Sequence, residues 1–474
     1  MFRNHRFLML GLLAGFAGSS VEANDHNVKV FKNASLIDGT GNGVISNSCV
    51  EVELDVITKV ASCEDFVVQA GAQVIDLEDK YLLPGFIDTH VHAAWGPLEI
   101  DTSSQVPVMS LEYDDKISRQ LLSALPGYGI TTIRNPAAPT QDGVALRNAV
   151  AAGFVYGPEI ITAGAVIDQI VSPDLVATAR TEEEIASVVA QQVEAGVDFI
   201  KLYASLPPNL IEAAIKKADE LGVQTVGHLF FTDWRQAAEL GIDGIVHAMP
   251  SSASLLPAAR QGEYLAGITG SQFLYQWFEY VDFESSEMED AFTAMAYHGV
   301  NHDPTLVAVE GLFFGNEPRI TNHSLLDLVP QRVRDDWHVP GGLIEGWDDT
   351  DFIRAQMVWP KVLELVKRMH DAGIMLTAGT DTANPNVIPG DGYHRELELL
   401  VIAGIATRDV IRIATLNGAV AIGRSDTLGS IEPGKQADLV VISKNPLEDI
   451  TNTREIISVY KKGKLFHSTS KDES

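Results

Sequence analysis

At 474 residues, with a formal net charge of −30 and a pI near 4.7, the chain has room for one large α/β unit and an appendage. Its 46% hydrophobic and 21% charged content excludes a disordered polypeptide. The acidity sets aside nucleic acid and anionic membranes as partners.

Arg3 and Arg6 precede an apolar run from Phe7 to Gly18, followed by Val21-Glu22-Ala23. A basic start, a short apolar centre and an A-x-A-like end are the pattern of a secretory signal peptide. The run is too short to span a bilayer. Residues 1–23 are therefore expected to be removed after Ala23, leaving an exported, periplasmic or secreted protein. Only Cys49 and Cys63 are present, flanking a hairpin-like stretch from Val50 to Val60. Two thiols do not make a structural zinc site. They are either a disulfide of an oxidising compartment or two small buried side chains.

From residue 27 onward, short β-like runs alternate with turns: Val28–Phe31, Val50–Glu53, Ile57–Val60 and Gln73–Asp76. Similar runs return at Asp438–Ile442, Ile457–Tyr460 and Lys464–Phe466. The two ends, 24–81 and 425–468, are expected to form one discontinuous small β-sandwich domain. Between them, residues 82–424 alternate candidate strands (86–92, 130–134, 159–164, 197–203, 223–229, 243–249, 301–307 and 374–380) with helical segments such as Glu182–Ala195, Leu210–Leu221 and Pro360–Ala372. That alternation predicts a (β/α)₈ TIM barrel, with a doubly wound open sheet as the structural alternative. No GxGxxG follows an early strand, so no dinucleotide site is expected. Residues 250–298 and 308–359 exceed what a barrel needs and are rich in aromatics, which are expected chiefly to pack these insertions down.

The chemistry is carried by the polar residues that end the strands. In an extended segment His90 and His92 share a face, a weak signal alone. Lys201 sits in an otherwise apolar strand, where an unpaired ammonium is costly. His228 and His247 end the fifth and sixth strands, and Asp381 ends the eighth. In a barrel these ends converge, and the joint pattern is far more specific than any one member.

Pro84-Gly85-Phe86-Ile87-Asp88-Thr89-His90-Val91-His92 resembles the first-strand signature of the amidohydrolase superfamily. Thr415-Leu416-Asn417-Gly418-Ala419 and Gly429 to Leu439 resemble its C-terminal segments. The run His394 to Leu400 is most similar to the imidazolonepropionase-like and Xaa-Pro dipeptidase (prolidase) branch. The resemblance implies two divalent metal ions, zinc in the first instance. His90, His92 and Asp381 would hold one, and His228 and His247 the other. Lys201 would bridge them as N6-carboxylysine. It further implies an amidohydrolase that cleaves an amide or peptide C–N bond with a metal-activated bridging hydroxide. Asp381 would move the proton, and Tyr203 would steady the oxyanion or a substrate carboxylate. His394 is placed either in the pocket or at a solvated helix start.

The expected substrate is a small molecule or short peptide, with a dipeptidase or carboxypeptidase as the leading activity; a homo-oligomer is admitted. A hydrolase of a cyclic amide, aryl amide or lactone is the alternative. A mononuclear deaminase fits less well, because His228-Leu229-Phe230-Phe231 lacks the glutamate such enzymes carry. A non-catalytic binding protein would have lost a ligand, and none is missing.

Overall fold

The computed structural model describes residues 27–101, 108–172, 174–268, 270–337, 343–344 and 346–469. The expected signal peptide, residues 1–23, lies outside the described residues. No helix among them is long and apolar enough to cross a membrane.

The β-branched runs at the two ends do meet. Val28–Leu36, Ile45–Glu53, Val56–Ser62, Gln73–Asp76 and Tyr81–Pro84 join Leu439–Ile442, Ile456–Lys461 and Lys464–Ser468 in one eight-stranded sheet. The seam is antiparallel, with Leu439 opposite Pro84 and Ile442 opposite Tyr81. Hydrogen bonding joins the eight strands in one continuous sheet. The register of its first strand breaks between Phe31 and Ala34, where Asn33 adopts φ 56°. Residues on either side of the break pair with different neighbours, Lys29–Lys32 with Gln73–Asp76 and Ser35–Leu36 with Tyr81–Leu82. Around the bend Phe31, Val50, Leu82, Leu439 and Tyr460 make a core of their own. The Phe31 and Tyr460 rings meet edge to face at 4.8 Å.

Cys49 and Cys63 form a disulfide across this sheet, closing a loop with a sequence separation of 14. Chain-entropy arguments give such a loop about 3 kcal/mol. Reduction, or the double change Cys49→Ala/Cys63→Ala, is thus expected to lower unfolding stability by about that amount in a urea titration.

The intervening chain builds parallel strands. Phe86–Asp88, Ile130–Asn135 and Glu159–Thr162 pair in that order. A second sheet runs from Val176–Thr178 and Val166–Asp168 through Phe199–Leu202, Gln224–Gly227, Gly244–Val246 and Asn301–Asp303 to Met375–Leu376. Backbone hydrogen bonds link the two: Asp198 N donates to Thr162 O (2.8 Å), and Thr89 N to Ala378 O (2.9 Å). Inside lies an apolar layer of Ile87, Ile161, Phe199, Val226 and Val246.

Helices cover the outside. Glu182–Ala195 runs as expected: Thr181 Oγ1 accepts from Glu184 N at 3.2 Å, and Gly196 (φ 97°) ends it. The second expected helix starts slightly earlier, at Pro208. The third differs more. Asp349–Asp371 is one helix with Pro360 inside it, starting at a capping box on Asp348. Its buried stripe of Ala355, Val358, Val362, Leu365, Val366 and Met369 continues across the proline, and burying it offsets a penalty of about 3 kcal/mol. The expected strand 301–307 stops at Asp303, because Thr305 takes φ 47° and Leu306–Phe313 is helical. In the insertion after the sixth strand, Tyr275, Trp277 and Phe278 are buried, as packing predicts.

His394 occupies neither expected place. It is fully buried, with Nδ1 2.8 Å from Thr453 Oγ1 and its ring against Phe86 and Tyr128. Its neighbours are not a solvated helix start either: Glu396 is buried and accepts from Val307 N, while Arg395 pairs with Glu310. Burial pushes the His394 imidazole down to about 3. Between that value and the ordinary 6.5 the unfolded chain binds one proton more, so acidification destabilises the fold by about 1.4 kcal/mol per pH unit from this residue. His394→Gln keeps a partner for Thr453, and is expected to flatten the fall of Tm between pH 6.5 and 4.

Candidate metal centre

Beyond Asp88 the first parallel strand continues as a hydrogen-bonded segment that delivers His90 and His92. Asp381 N donates to His90 O (2.8 Å), and His92 N donates to Thr382 O (3.1 Å). Thus the ends of the first and last strands, far apart in sequence, are tied at the backbone. Asp88 sets this junction: it accepts from His90 N (3.1 Å), Thr380 N (3.0 Å) and Thr380 Oγ1 (2.8 Å).

The structure brings several of these side chains together. His92 Nε2 lies 2.9 Å from Asp381 Oδ1, and His90 Nε2 lies 3.3 Å from the same oxygen. One donor atom from each of the three falls within 4.8 Å of the other two. His247 Nδ1 is 3.8 Å from Asp381 Oδ2, with its ring 4.9 Å from that of His90 and 4.4 Å from that of His228. Tyr203 stacks edgewise on His228 at 4.8 Å. Lys201 is 2% exposed, and its Nζ has no hydrogen-bond partner among the described residues. Two of these positions are strained: Asp381 has φ 59° and His247 φ 69°. Left-handed non-glycine backbone costs about 1–3 kcal/mol, a concentration typical of functional sites.

The electrostatics suit a cation. Burial pushes the imidazoles of His90 and His247 well down and that of His228 to about 3, so all three are neutral at pH 7 and free to coordinate. Burial opposes ionisation of Asp381, but the facing His90 and the hydrogen bond from His92 outweigh it and hold the carboxyl below its usual range. Burial, with Arg134 nearby, brings Lys201 down to about 7. Burial raises the Tyr203 phenol to about 12, so it keeps its proton. The donor set therefore fits divalent metal. Neutral imidazoles face an ionised carboxylate, and His228 Nε2 is buried without a hydrogen-bond partner among the described residues.

Sequence reasoning missed the groups behind these ligands. Asp303 Oδ2 lies 3.7 Å from His90 Nδ1, and accepts from Thr89 Oγ1 at 2.9 Å. Thr305 Oγ1 is 2.8 Å from His247 Nδ1. His90 thus turns Nε2 toward Asp381, whereas His247 has Nδ1 near both Thr305 and Asp381. Gly379 makes room for Asp303, since a Cβ there would lie 2.2 Å from Asp303 Oδ2. A signal was available: Asp303 is the last polar residue of the seventh strand, the position that identified Asp381 in the eighth.

Comparison with known proteins agrees with this geometry. The profile of the amidohydrolase family matches residues 81–466, most of the chain. The chain belongs to the amidohydrolase family. Within that family it is similar to imidazolonepropionase of Porphyromonas gingivalis, at 40% identity over 81 residues (16% of this chain, 18% of the relative). It is also similar to ochratoxinase of Aspergillus niger, at 36% over 127 residues (26% of this chain, 25% of the relative). The matched stretches thus span about a quarter or less of these curated amidohydrolases. A solved Xaa-Pro dipeptidase with bound methionine superposes with a TM-score of 0.66, covering 93% of this chain and all of that one at 21% identity; the fold is shared.

Proposed function

We propose that the protein is a metal-dependent hydrolase of amide or peptide C–N bonds with two divalent ions, whose scaffold closes as a (β/α)₈ barrel over residues 82–424. The observation that carries this reading is the meeting of His90, His92, His247 and Asp381 from three strand ends around one space. His90, His92 and Asp381 would hold one ion and His228 and His247 the other, with Lys201, as N6-carboxylysine, between them. Bound divalent metal supplies Lewis acidity toward a carbonyl and lowers the pKa of water; zinc suits the nitrogen and oxygen donors.

The chain's own groups then divide the remaining work. Asp381, ionised and beside both His90 and His92, takes the proton of the attacking water and passes it to the leaving nitrogen. Tyr203 retains its hydroxyl proton and donates to the developing oxyanion or to a substrate carboxylate. Asp303 and Thr305 keep the His90 and His247 rings in place. Phe230, 5.0 Å from His228 and 5.2 Å from Phe273, and Trp95, 5.2 Å from His92, wall the space with aromatic surface.

The likeness to a Xaa-Pro dipeptidase supports a dipeptide or a related small amide as substrate. The Phe230–Phe273 pair favours an aromatic group within it. Export is part of the same reading, and the Cys49–Cys63 disulfide supports an oxidising compartment. The test is a library of dipeptides and N-acyl amino acids offered to metal-loaded protein, with released amine as readout. Turnover of an amide that ceases on chelation is expected. If metal-loaded protein releases no amine from any member, the reading falls.

A further inference from the structure

The loop that carries Asp381 is held in a conformation its residues do not favour. Asp381 (φ 59°), Ala383 (φ 93°) and Asn386 (φ 65°) are all left-handed without being glycine. Such backbone persists only where its surroundings over-determine it. Part of the restraint is internal: Asn384 N and Nδ2 donate to Asp381 O at 3.1 and 3.2 Å. The rest comes from the insertion that follows the seventh strand. Asn386 Nδ2 donates to Gly311 O at 2.9 Å. A Cβ at Gly311 would lie 2.7 Å from Pro385 O, so the helix Leu306–Phe313 packs directly on the loop backbone. Trp337 Nε1 donates to the carbonyl of Ala383 at 3.1 Å, a buried hydrogen bond.

Trp337 directly follows the short helix Gln331–Asp336, and the last residue of that helix reaches the other ligand loop. Asp336 Oδ2 accepts from Leu98 N at 3.0 Å, and its Oδ1 lies 3.3 Å from Arg332 Nε. Arg332 in turn donates to Leu98 O at 3.4 Å, so the main-chain N–H and carbonyl of Leu98 are both taken. Leu98 follows His92 by way of Trp95, whose ring lies 5.2 Å from that of His92 and packs against the same apolar cluster as Trp337. Two adjacent residues, Asp336 and Trp337, therefore grip at the backbone the loops that follow two members of one ligand group. Apolar packing of Val333, Trp337 and Ile388 alone would dock the insertion. The two hydrogen bonds add direction, because each fixes where one loop lies.

We propose that Asp336 and Trp337 are positioning residues of the metal centre. They clamp the loops that follow His92 and Asp381 and so hold these two side chains in register to share one divalent ion, an inference that rests on the metal reading above. Ligands held in place before the ion arrives lose less freedom on binding it.

The test titrates full-length, metal-stripped protein with cobalt(II) against a chromophoric chelator, and the visible spectrum of the bound cobalt reports ligand geometry. Trp337→Phe keeps a ring in the cluster but removes the donor, and Asp336→Ala removes the acceptor. Each is expected to weaken one bound cobalt by about tenfold, the effect of a lost hydrogen bond whose buried partner stays unpaired, and to alter its spectrum. Asp336→Asn keeps an acceptor for Leu98 N and is expected to stay within about threefold of the parent. Thr181→Ala, which uncaps an outer helix, is the comparison for stability alone: it lowers Tm and leaves cobalt affinity and spectrum unchanged. Parent affinity and spectrum in both Trp337→Phe and Asp336→Ala would overturn the clamp and leave the metal centre standing. Equal loss in Asp336→Ala and Asp336→Asn would overturn the role given to the Leu98 hydrogen bond. A parent protein that binds no cobalt would overturn the metal centre itself, and the clamp with it. If Trp337→Phe does not fold, the contrast between Asp336→Ala and Asp336→Asn decides.

Discussion

Asp381→Asn is expected to lower kcat for amide hydrolysis by about 10³-fold at full metal loading, with a much smaller change in KM. The substitution keeps the side-chain volume and the oxygen that faces His90 and His92. It removes the negative charge and the ability to carry a proton. The cost falls on kcat because the proton moves only as the tetrahedral species forms and collapses. Metal content must be measured on the same sample, since Asp381 also lies among the ligands. A variant with its metal in place and kcat within tenfold of the parent would sink the assignment of Asp381 as the proton-transfer group. Loss of metal at all loadings would instead show the carboxylate acting chiefly as a ligand.

Lys201→Ala is expected to bind about one divalent ion per chain where the parent binds about two, and to lose activity by about 10³-fold or more. A lysine at 2% exposure with no hydrogen-bond partner for Nζ among the described residues has little structural reason to be there. Held near pKa 7 by burial and Arg134, a large share of it is the free amine that reacts with CO₂ at neutral pH. The carbamate so formed has two anionic oxygens where the ammonium had none. Two readouts besides activity check this: metal stoichiometry, and a carbamate ¹³C signal in parent protein prepared with labelled bicarbonate. The vacated space also predicts partial recovery of metal and activity in Lys201→Ala on adding a short carboxylic acid. Full metal content in the variant, or no carbamate signal in the parent, would remove Lys201 from the bridging role.

The grouping of His90, His92 and Asp381, with His247 and His228 beside them, was legible because strand-end side chains converge. Once the strands that carry His90, His228, His247 and Asp381 are recognised, their meeting needs no knowledge of loops. The supporting groups were not. Thr89 and Asp303 are 214 positions apart yet hydrogen-bonded; the strand-end position of Asp303 marks it as a candidate, but not that it stands behind His90. His394 shows the converse. Arg395 and Glu396 beside it suggest solvent, but Glu310 and the Val307 amide consume those charges and bury the helix.

The chain's own order of residues therefore determined the elements with local causes. Thr181 and Gly196 bound a helix through capping and left-handed backbone, the His90-x-His92 spacing places two imidazoles on one side, and alternating strands and helices dictate a parallel α/β fold. Only the tertiary structure decided the rest. It joined Cys49 to Cys63, carried the helix through Pro360 because the buried stripe outweighs one lost hydrogen bond, bent the terminal sheet at Asn33, and set Asp303 and Arg134 beneath the site. The physical reason is common to all four. Each depends on burial or pairing between distant segments, whose free energy exists only once the core has closed.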